Sequence, residues 1–237
     1  DKIPDTAKDA DGKYYADYTG IMSVGWNADK YGDISSLDDL LDPKFAGTVA
    51  LNGKPAEAGA AFNGYLMANQ LAGGDINNLQ PGLDYFKKLK EAGNLTTVDV
   101  TNGTIDSGQT GVVFDWTYNQ ASYKKELKDK GVNWKYKTFP KAQVVSYYNQ
   151  AINKDAPHPA AARLWEEYLY TADAQNLWFK GGANPVLLDS MKEDGTVDQA
   201  TLKDAITIEG EPVSYTNDDS TRITEWLQNN WDKTIGN

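Results

Sequence analysis

Short apolar segments alternate with amphipathic helical segments through the first half of the chain. Thr48–Leu51 and Gly111–Phe114 are apolar runs of strand length, whereas the segments that open at Pro55 and Pro81 repeat apolar residues with helical spacing. Such alternation is typical of an α/β fold in which helices flank a mainly parallel sheet. The pattern over residues 27–140 therefore predicts an α/β lobe.

The segment Val144–Asn153 breaks this pattern, because polar aromatic residues occupy the middle of a predicted strand. β-Branched residues lead into the adjacent Tyr147 and Tyr148, where a buried strand would normally carry aliphatic residues. After it the sequence becomes helical, with little sheet for the helices to cover. We expect this strand to cross between two lobes and to present a tyrosine to a ligand.

Composition excludes several classes of function. The 237 residues carry a net charge of -11 and include only two arginines, so no nucleic-acid partner is expected. The absence of cysteine excludes disulfides, thiolate metal sites and cysteine nucleophiles. No apolar run approaches the roughly 20 residues that span a bilayer. The polar start at Asp1–Asp5 is no signal peptide, so the targeting segment of an exported protein would lie outside this sequence.

The sequence contains no recognisable catalytic or metal-binding signature. It has neither a G-x-S-x-G motif nor a phosphate-binding loop, and its one histidine, His158, stands between two prolines at a turn. The adjacent acids Glu166 and Glu167 are explained by a solvated helix face. We therefore predict no catalytic residue, no metal site and no cofactor.

Asn52, Asp115 and Trp116 follow the two apolar strands, where ligands bind in α/β sheets. A carboxylate beside an indole can hold an amine or a cation through charge and cation–π contact. The alternative for Asp115 is that it caps the helix that follows. Glu57 stands in a predicted helix start, Pro55–Ala60, and is a further candidate for contact with an amine. A plain helix start is the alternative there.

Tyr147 and Tyr148 are the remaining pair of candidate ligand residues. Adjacent strand residues point to opposite faces, so one ring is expected to line a ligand site while the other packs. The alternative is two half-buried tyrosines whose hydroxyls are satisfied within the protein.

The order of several segments resembles the solute-binding proteins of bacterial ABC importers. The resemblance is carried by AINKDAPHPAAARLWEEYL at 151–169, AQNLW at 174–178, GGANPV at 181–186 and LDDLLDPKFAG at 37–47. The group is the two-lobed, type 2 periplasmic-binding-protein-like group whose members bind ferric iron, polyamines, thiamine or phosphonates. The likeness covers nearly the whole chain.

This resemblance implies a C-terminal piece of a longer protein, because members begin with about a hundred further residues in the first lobe. It implies a lead-in and outgoing crossover strand at 1–26, a second α/β lobe at 27–140, and a return strand with the helical end of an incomplete first lobe at 141–237. It also implies an extracytoplasmic location, a small-molecule ligand and ABC permease subunits as partners. The oligomeric state stays open.

The resemblance also bears on the ligand. Polyamine binders have a tryptophan at the position that resembles Trp116, but their acidic residue on the return strand is replaced here by Tyr148. Iron binders use adjacent tyrosines where this chain reads Trp116-Thr117-Tyr118, which leaves Tyr118 as the one retained phenol. We expect a small polar ligand, with an amine or organic cation such as a polyamine preferred. A ferric-iron or phosphonate binder of the same fold and, from another class, a carboxylate-based hydrolase are the alternatives.

Overall fold

The computed structural model describes residues 2–208 and 210–236, apart from the side chain of Thr6. Along the chain its strands and α-helices are β1 (Tyr15–Asn27), α1 (Ala28–Tyr31), β2 (Val49–Leu51), α2 (Gly59–Leu71), α3 (Gln80–Glu91), α4 (Asn102–Asp106), β3 (Val112–Trp116), α5 (Thr117–Glu126), β4 (Trp134–Lys137), β5 (Val145–Gln150), α6 (Pro159–Leu169), α7 (Ala172–Lys180), β6 (Asn184–Pro185), α8 (Leu188–Glu193), α9 (Gln199–Asp204) and α10 (Asn217–Thr234). None of these helices is long and apolar enough to cross a membrane.

Internal contacts divide the chain into two compact units. Unit 1 comprises Asp1–Ile21 and Ser146–Ile208, and unit 2 comprises Met22–Val145 and Glu209–Asn237. The division falls within β1 and at the start of β5, the two strands that the sequence predicted as crossing segments.

The sheet of unit 2 has the strand order β2-β3-β1-β4. Strands β2 and β3 are parallel, with Ala50 opposite Val113. Strand β1 is antiparallel to both of its neighbours, so that Val24 lies opposite Phe114 on one side and Lys137 on the other. The α/β class is confirmed, but the expected mainly parallel sheet is corrected here. An antiparallel strand needs no crossover helix, which lets β1 lie between β3 and β4.

Helices α2, α3 and α10 build the main core of unit 2 against this sheet. Phe86 of α3 lies 5.8 Å from the ring of Phe114 and 5.2 Å from that of Trp231. Helix α10 buries Ile223, Leu227 and Trp231, which are spaced four residues apart and form one apolar stripe. Its place in unit 2 differs from the predicted division, in which residues 141–237 formed one part. The stripe finds its partners on α2 and α3.

The helix that was expected to begin at Pro55 begins at Gly59 instead. The carbonyl of Lys54 accepts hydrogen bonds from the backbone N–H groups of Glu57 and Ala58, at 3.0 and 2.9 Å. These bonds close a separate turn before the helix. Glu57 therefore lies in a turn rather than at a helix start.

Unit 1 has a smaller sheet and a smaller core. Strand β6 is antiparallel to β1, with Tyr18 opposite Pro185, and β5 also pairs with β1. The core is formed by side chains from the first residues of the chain, β1, α7, α8 and the segments next to them: Ala7, Ala16, Phe179, Val186, Leu187, Leu188, Met191 and Val197.

Candidate functional site

Asp115 is the centre of a buried hydrogen-bond network at the end of β3. Its side chain is fully buried, and each carboxylate oxygen accepts from two donors. Oδ1 accepts from the backbone N–H of Trp116 at 2.7 Å and from Asn119 Nδ2 at 2.9 Å. Oδ2 accepts from Asn52 Nδ2 and from the Tyr123 hydroxyl, both at 2.8 Å. These donors are neutral and come from three segments of unit 2.

The electrostatics of this network are governed by burial. Burial raises the pKa of Asp115 above its ordinary value, and the donors around the carboxylate oppose that rise. Burial also raises the pKa of Tyr123, and the nearby charge of Asp115 adds to the effect. A carboxylate has about four lone-pair sites, and four donors occupy them here. The geometry therefore makes Asp115 an anchor for Asn52, Asn119 and Tyr123, rather than a side chain that is open to a ligand.

The structure also bears on the alternative interpretation of Asp115 as a helix cap. Helix α5 begins at Thr117, and the residue that precedes it, Trp116, makes no side-chain capping bond. Asp115 lies one residue further back and binds the N–H of Trp116 instead. Asp115 is therefore not the N-cap, as the alternative interpretation held, although it does fix the entry into α5.

Trp116 and Tyr118 flank the start of α5 with nearly parallel rings, 6.3 Å apart and inclined by 18°. Trp116 is buried in the main core of unit 2, whereas Tyr118 is half-buried and packs against that core. The structure thus brings Asn52 and Asp115 into direct contact and places Trp116 and Tyr118 next to them along the chain. Glu57 is exposed in its turn, and its carboxylate is not among the groups that hold Asp115.

Gly53 fixes the backbone between Asn52 and this turn. Its φ is +98°, and a Cβ at this position would lie only 2.5 Å from the Cβ of Ala58. A side chain is therefore excluded twice, by the left-handed backbone and by the close approach of the following turn. This constraint holds Asn52 at the end of β2, where its amide reaches Asp115.

Unit 1 presents a second group of candidates on β5. Tyr147 and Tyr148 are 38% and 44% exposed. Tyr148 stacks on Tyr18 at 4.9 Å, and Tyr18 stacks in turn on Trp178 at 4.4 Å, which gives a column of three rings. Burial and the charge of Asp189 raise the pKa of Tyr147. The two tyrosines therefore have different neighbours, in keeping with the alternation of faces along a strand.

Sequence reasoning missed the inner part of this group. Asp17 is fully buried on β1, and its carboxylate accepts from Gln175 Nε2 at 2.9 Å and Gln150 Nε2 at 3.2 Å. Burial raises the pKa of Asp17. A signal was present, because an aspartate in an aromatic strand, next to Tyr18, is unusual for a position that points into a core. Its glutamine partner on α7 is distant in sequence and gave no such signal.

Within the two described ranges, no three or more histidine, aspartate and glutamate side chains are grouped so that they could hold a metal ion. The polar side chains of the two groups described above, around Asp115 and around Asp17, are amides, phenols and buried carboxylates. Such groups orient small polar ligands by hydrogen bonding and ring stacking.

Solved structures of periplasmic binding proteins share this fold. AfuA from Actinobacillus pleuropneumoniae, with fructose-6-phosphate bound, is 20% identical, with 99% of this chain and 72% of that chain covered and a TM-score of 0.69. AgtB from A. tumefaciens R10, in complex with agropinic acid, is 16% identical, with 100% and 73% covered and a TM-score of 0.72. Apo ferric ion-binding protein A from Pasteurella haemolytica is 19% identical, with 98% and 72% covered and a TM-score of 0.68.

No curated protein sequence matches the chain. Residues 1–205 match the sequence profile of a family described as bacterial extracellular solute-binding protein. This match spans most of the chain and confirms the family that the sequence resembled. The chain belongs to the bacterial extracellular solute-binding proteins.

Proposed function

We propose that this chain is the solute-binding component of a bacterial ABC import system, which captures a small polar ligand outside the cytoplasm and delivers it to a membrane permease. The family match carries this proposal. The structural neighbours support it, since they are periplasmic binding proteins. Their ligands are chemically diverse, so the ligand class has to be argued from the residues of this chain.

The exposed rings of unit 1 favour a ligand that contains an amine or another organic cation. Tyr147 and Tyr148 offer phenol faces, and aromatic faces attract cations through the ring quadrupole. The net charge of -11 adds a field that draws cations toward the protein. A polyamine is a chain of amines, so both the aromatic faces and the negative charge of the protein would attract it.

In unit 2, the proposed contacts are Asn52, which Asp115 orients, and Tyr118 at the start of α5. Asn52 donates one amide hydrogen to Asp115 and retains a second amide hydrogen and a side-chain carbonyl oxygen for a ligand. Tyr118 contributes a half-buried ring. Asp115 acts as the positioning residue behind Asn52, and Trp116 supports the start of α5. Glu57, exposed in its turn, is a further carboxylate for an amine.

Native mass spectrometry of protein purified without denaturation would identify any retained ligand. Calorimetric titration with spermidine, ferric citrate and methylphosphonate, which carries no amine, then compares the three ligand classes directly. We expect spermidine to bind and the other two not to. Binding of ferric ion or phosphonate alone would overturn the amine preference and leave the transport role intact. The transport role itself would fail if deletion of the gene left uptake of the retained ligand unchanged.

A further inference from the structure

We infer that a groove on unit 2 binds a small zwitterion with an apolar body, of the size and charge of an apolar dipeptide. This groove, the α2–α3 groove, lies between the end of α2 and one face of α3, and the segments 35–38 and 139–141 complete its lining. Its volume is about 750 Å³, which is within the range of small-molecule sites.

The α2–α3 groove is separate from the candidate site around Asp115. Helix α2 begins at Gly59, after the turn that follows Asn52, and its 13 residues make it about 20 Å long. The groove is lined by residues at the other end of this helix, Leu71 and Ala72. A ligand in the groove is therefore a different one from the ligand proposed for Asn52.

Helix α3 supplies one wall of the groove. The residues of α3 that line it are spaced so that they share one face of the helix: Pro81, Asp84, Tyr85 and Lys88. Tyr85 is buried, and its hydroxyl donates to the backbone carbonyl of Leu37 at 2.9 Å, so its ring is a fixed part of the wall. Asp84 and Lys88 are exposed and supply the charges of this face.

These two charges do not neutralise each other. On a helix, an acidic residue four positions before a lysine is the favoured order for an ion pair. Asp84 and Lys88 have that order, yet neither is ion-paired with any residue that the structure describes, and Asp84 accepts from Gln80 Nε2 at 2.8 Å instead. Lys87 and Glu91 have the less favoured order and do pair, at 3.8 Å. The charges that face the groove are therefore left for another partner.

The segments 35–38 and 139–141 add one further charge of each sign. Asp38 and Lys141 line the groove and are exposed, and within the described part of the chain neither takes part in an ion pair. The same segments contribute apolar surface from Leu37 and Phe139. A simple anion or cation would meet a charge of its own sign here, whereas a ligand with both an ammonium and a carboxylate group can pair with both.

The spacing of the charges favours a dipeptide over a single amino acid. Asp84 and Lys88 are four residues apart, which is a rise of about 6 Å along the helix. The ends of an extended dipeptide are separated by about 7 Å, and those of a single amino acid by about half of that. Apolar side chains on the dipeptide would cover Leu71 and Phe139 and remove apolar surface from water.

The test uses leucyl-leucine and two derivatives that each lack one terminal charge. N-acetyl-leucyl-leucine has no ammonium group, and leucyl-leucine amide has no carboxylate. Each compound is titrated into ¹⁵N-labelled protein, and the amide chemical shifts give both its affinity and its position. The variants are Lys88→Ala and Asp84→Asn. Their matched controls, Lys87→Ala and Glu91→Gln, change exposed charges of the same helix that do not line the groove.

We expect leucyl-leucine to bind with a Kd below about 1 mM and to shift the amides of Ala72 and Tyr85. Each derivative should bind about tenfold more weakly, because it lacks one charged contact. Lys88→Ala should weaken leucyl-leucine about tenfold and leave the affinity of the amide unchanged, since the amide has no carboxylate to lose. Asp84→Asn should do the same with respect to the acetylated compound. Both controls should bind as the wild type does.

Three results would overturn the inference. The first is the absence of shifts in the groove at millimolar leucyl-leucine. The second is equal affinity for all three compounds, because the terminal charges would then play no part. The third is a set of shifts confined to the surroundings of Asn52 and Trp116, which would place the dipeptide in the candidate site instead.

Discussion

Asn52 Nδ2 donates to Asp115 Oδ2 at 2.8 Å and so joins the ends of the two parallel strands β2 and β3. The bond links two segments that are separated by 63 positions in the sequence. Asn52 is the residue at the end of β2 whose side chain reaches the carboxylate of Asp115, and the bond fixes the orientation of that side chain. The predictions for unit 2 follow from this bond and from the backbone that presents it.

The first prediction concerns the stability that this bond supplies. Asn52→Ala leaves a buried carboxylate with three donors in place of four, so we expect the free energy of unfolding to fall by about 1–3 kcal/mol. The matched control is Asn133→Ala, which removes an exposed amide that donates to Asp29 at 2.7 Å and should change stability by less than about 0.5 kcal/mol. Urea unfolding measures both. Equal losses for the two variants would contradict a buried role for Asn52.

The second prediction concerns pH. Because burial raises the pKa of Asp115 above 3.8, the folded protein keeps this proton at pH values where the unfolded chain has lost it. The contribution of Asp115 to stability therefore declines as pH rises from about 4 through the folded pKa. The stability difference between wild type and Asp115→Asn should shrink over that window, as measured by urea unfolding at several pH values.

Asp219→Asn is the control with the opposite sign. Hydrogen bonds from the Thr216 backbone and from Arg222 lower the pKa of Asp219 to about 2. The contribution of Asp219 to stability is present above its ordinary pKa and is lost as pH falls toward 2. The stability difference between wild type and Asp219→Asn should therefore grow with rising pH. If the stability differences of the two variants from wild type changed with pH in the same direction, the assignment of a raised pKa to Asp115 would be refuted.

The third prediction separates steric exclusion from backbone strain. Gly53→Ala places a Cβ 2.5 Å from that of Ala58 at a φ of +98°, whereas Gly47→Ala, at a φ of +65°, meets nothing within 4 Å. We expect a loss of roughly 1 kcal/mol at position 47 from the left-handed backbone alone. The loss at position 53 should be larger by about 1–3 kcal/mol because of the overlap. Thermal unfolding with matched baselines measures both, and similar losses would count against the close approach.

The fourth prediction tests the ring column as a ligand surface. Tyr148→Ala removes the exposed ring that stacks on Tyr18, and affinity for spermidine should fall about tenfold, which corresponds to roughly 1.4 kcal/mol. Tyr148→Phe keeps the ring and should retain most of the affinity. Calorimetric titration measures both variants. Unchanged affinity in Tyr148→Ala would remove Tyr148 from the proposed site.

Local pattern was sufficient for the parts of the fold that depend on neighbours in sequence. The apolar runs around Val113 and Ala50 predicted β3 and β2, with Asn52 and Asp115 at the strand ends where ligands bind in α/β sheets. The pattern could not give the direction of β1, because antiparallel pairing with β3 and β4 is decided by contacts far along the chain.

The candidate site shows the same limit. The sequence predicted an open carboxylate at Asp115, but the fourth donor, Tyr123, comes from two turns into α5 and closes the site around it. Likewise, the tyrosines of β5 were visible as unusual strand residues. Their stacking partner Tyr18 lies about 130 positions earlier and Trp178 about 30 positions later, so no spacing rule could join the three rings.

The column of Trp178, Tyr18 and Tyr148 also gives unit 1 an optical signature of its own. Rings held at 4.4 and 4.9 Å lie close enough for excitation of the tyrosines to pass to the indole and for their transitions to couple. Near-ultraviolet circular dichroism and tyrosine-to-tryptophan energy transfer should therefore respond to the integrity of unit 1. Replacing Trp178 with phenylalanine would remove the contribution of this column, while the other six tryptophans of the chain, including Trp165 of unit 1, keep their own signals.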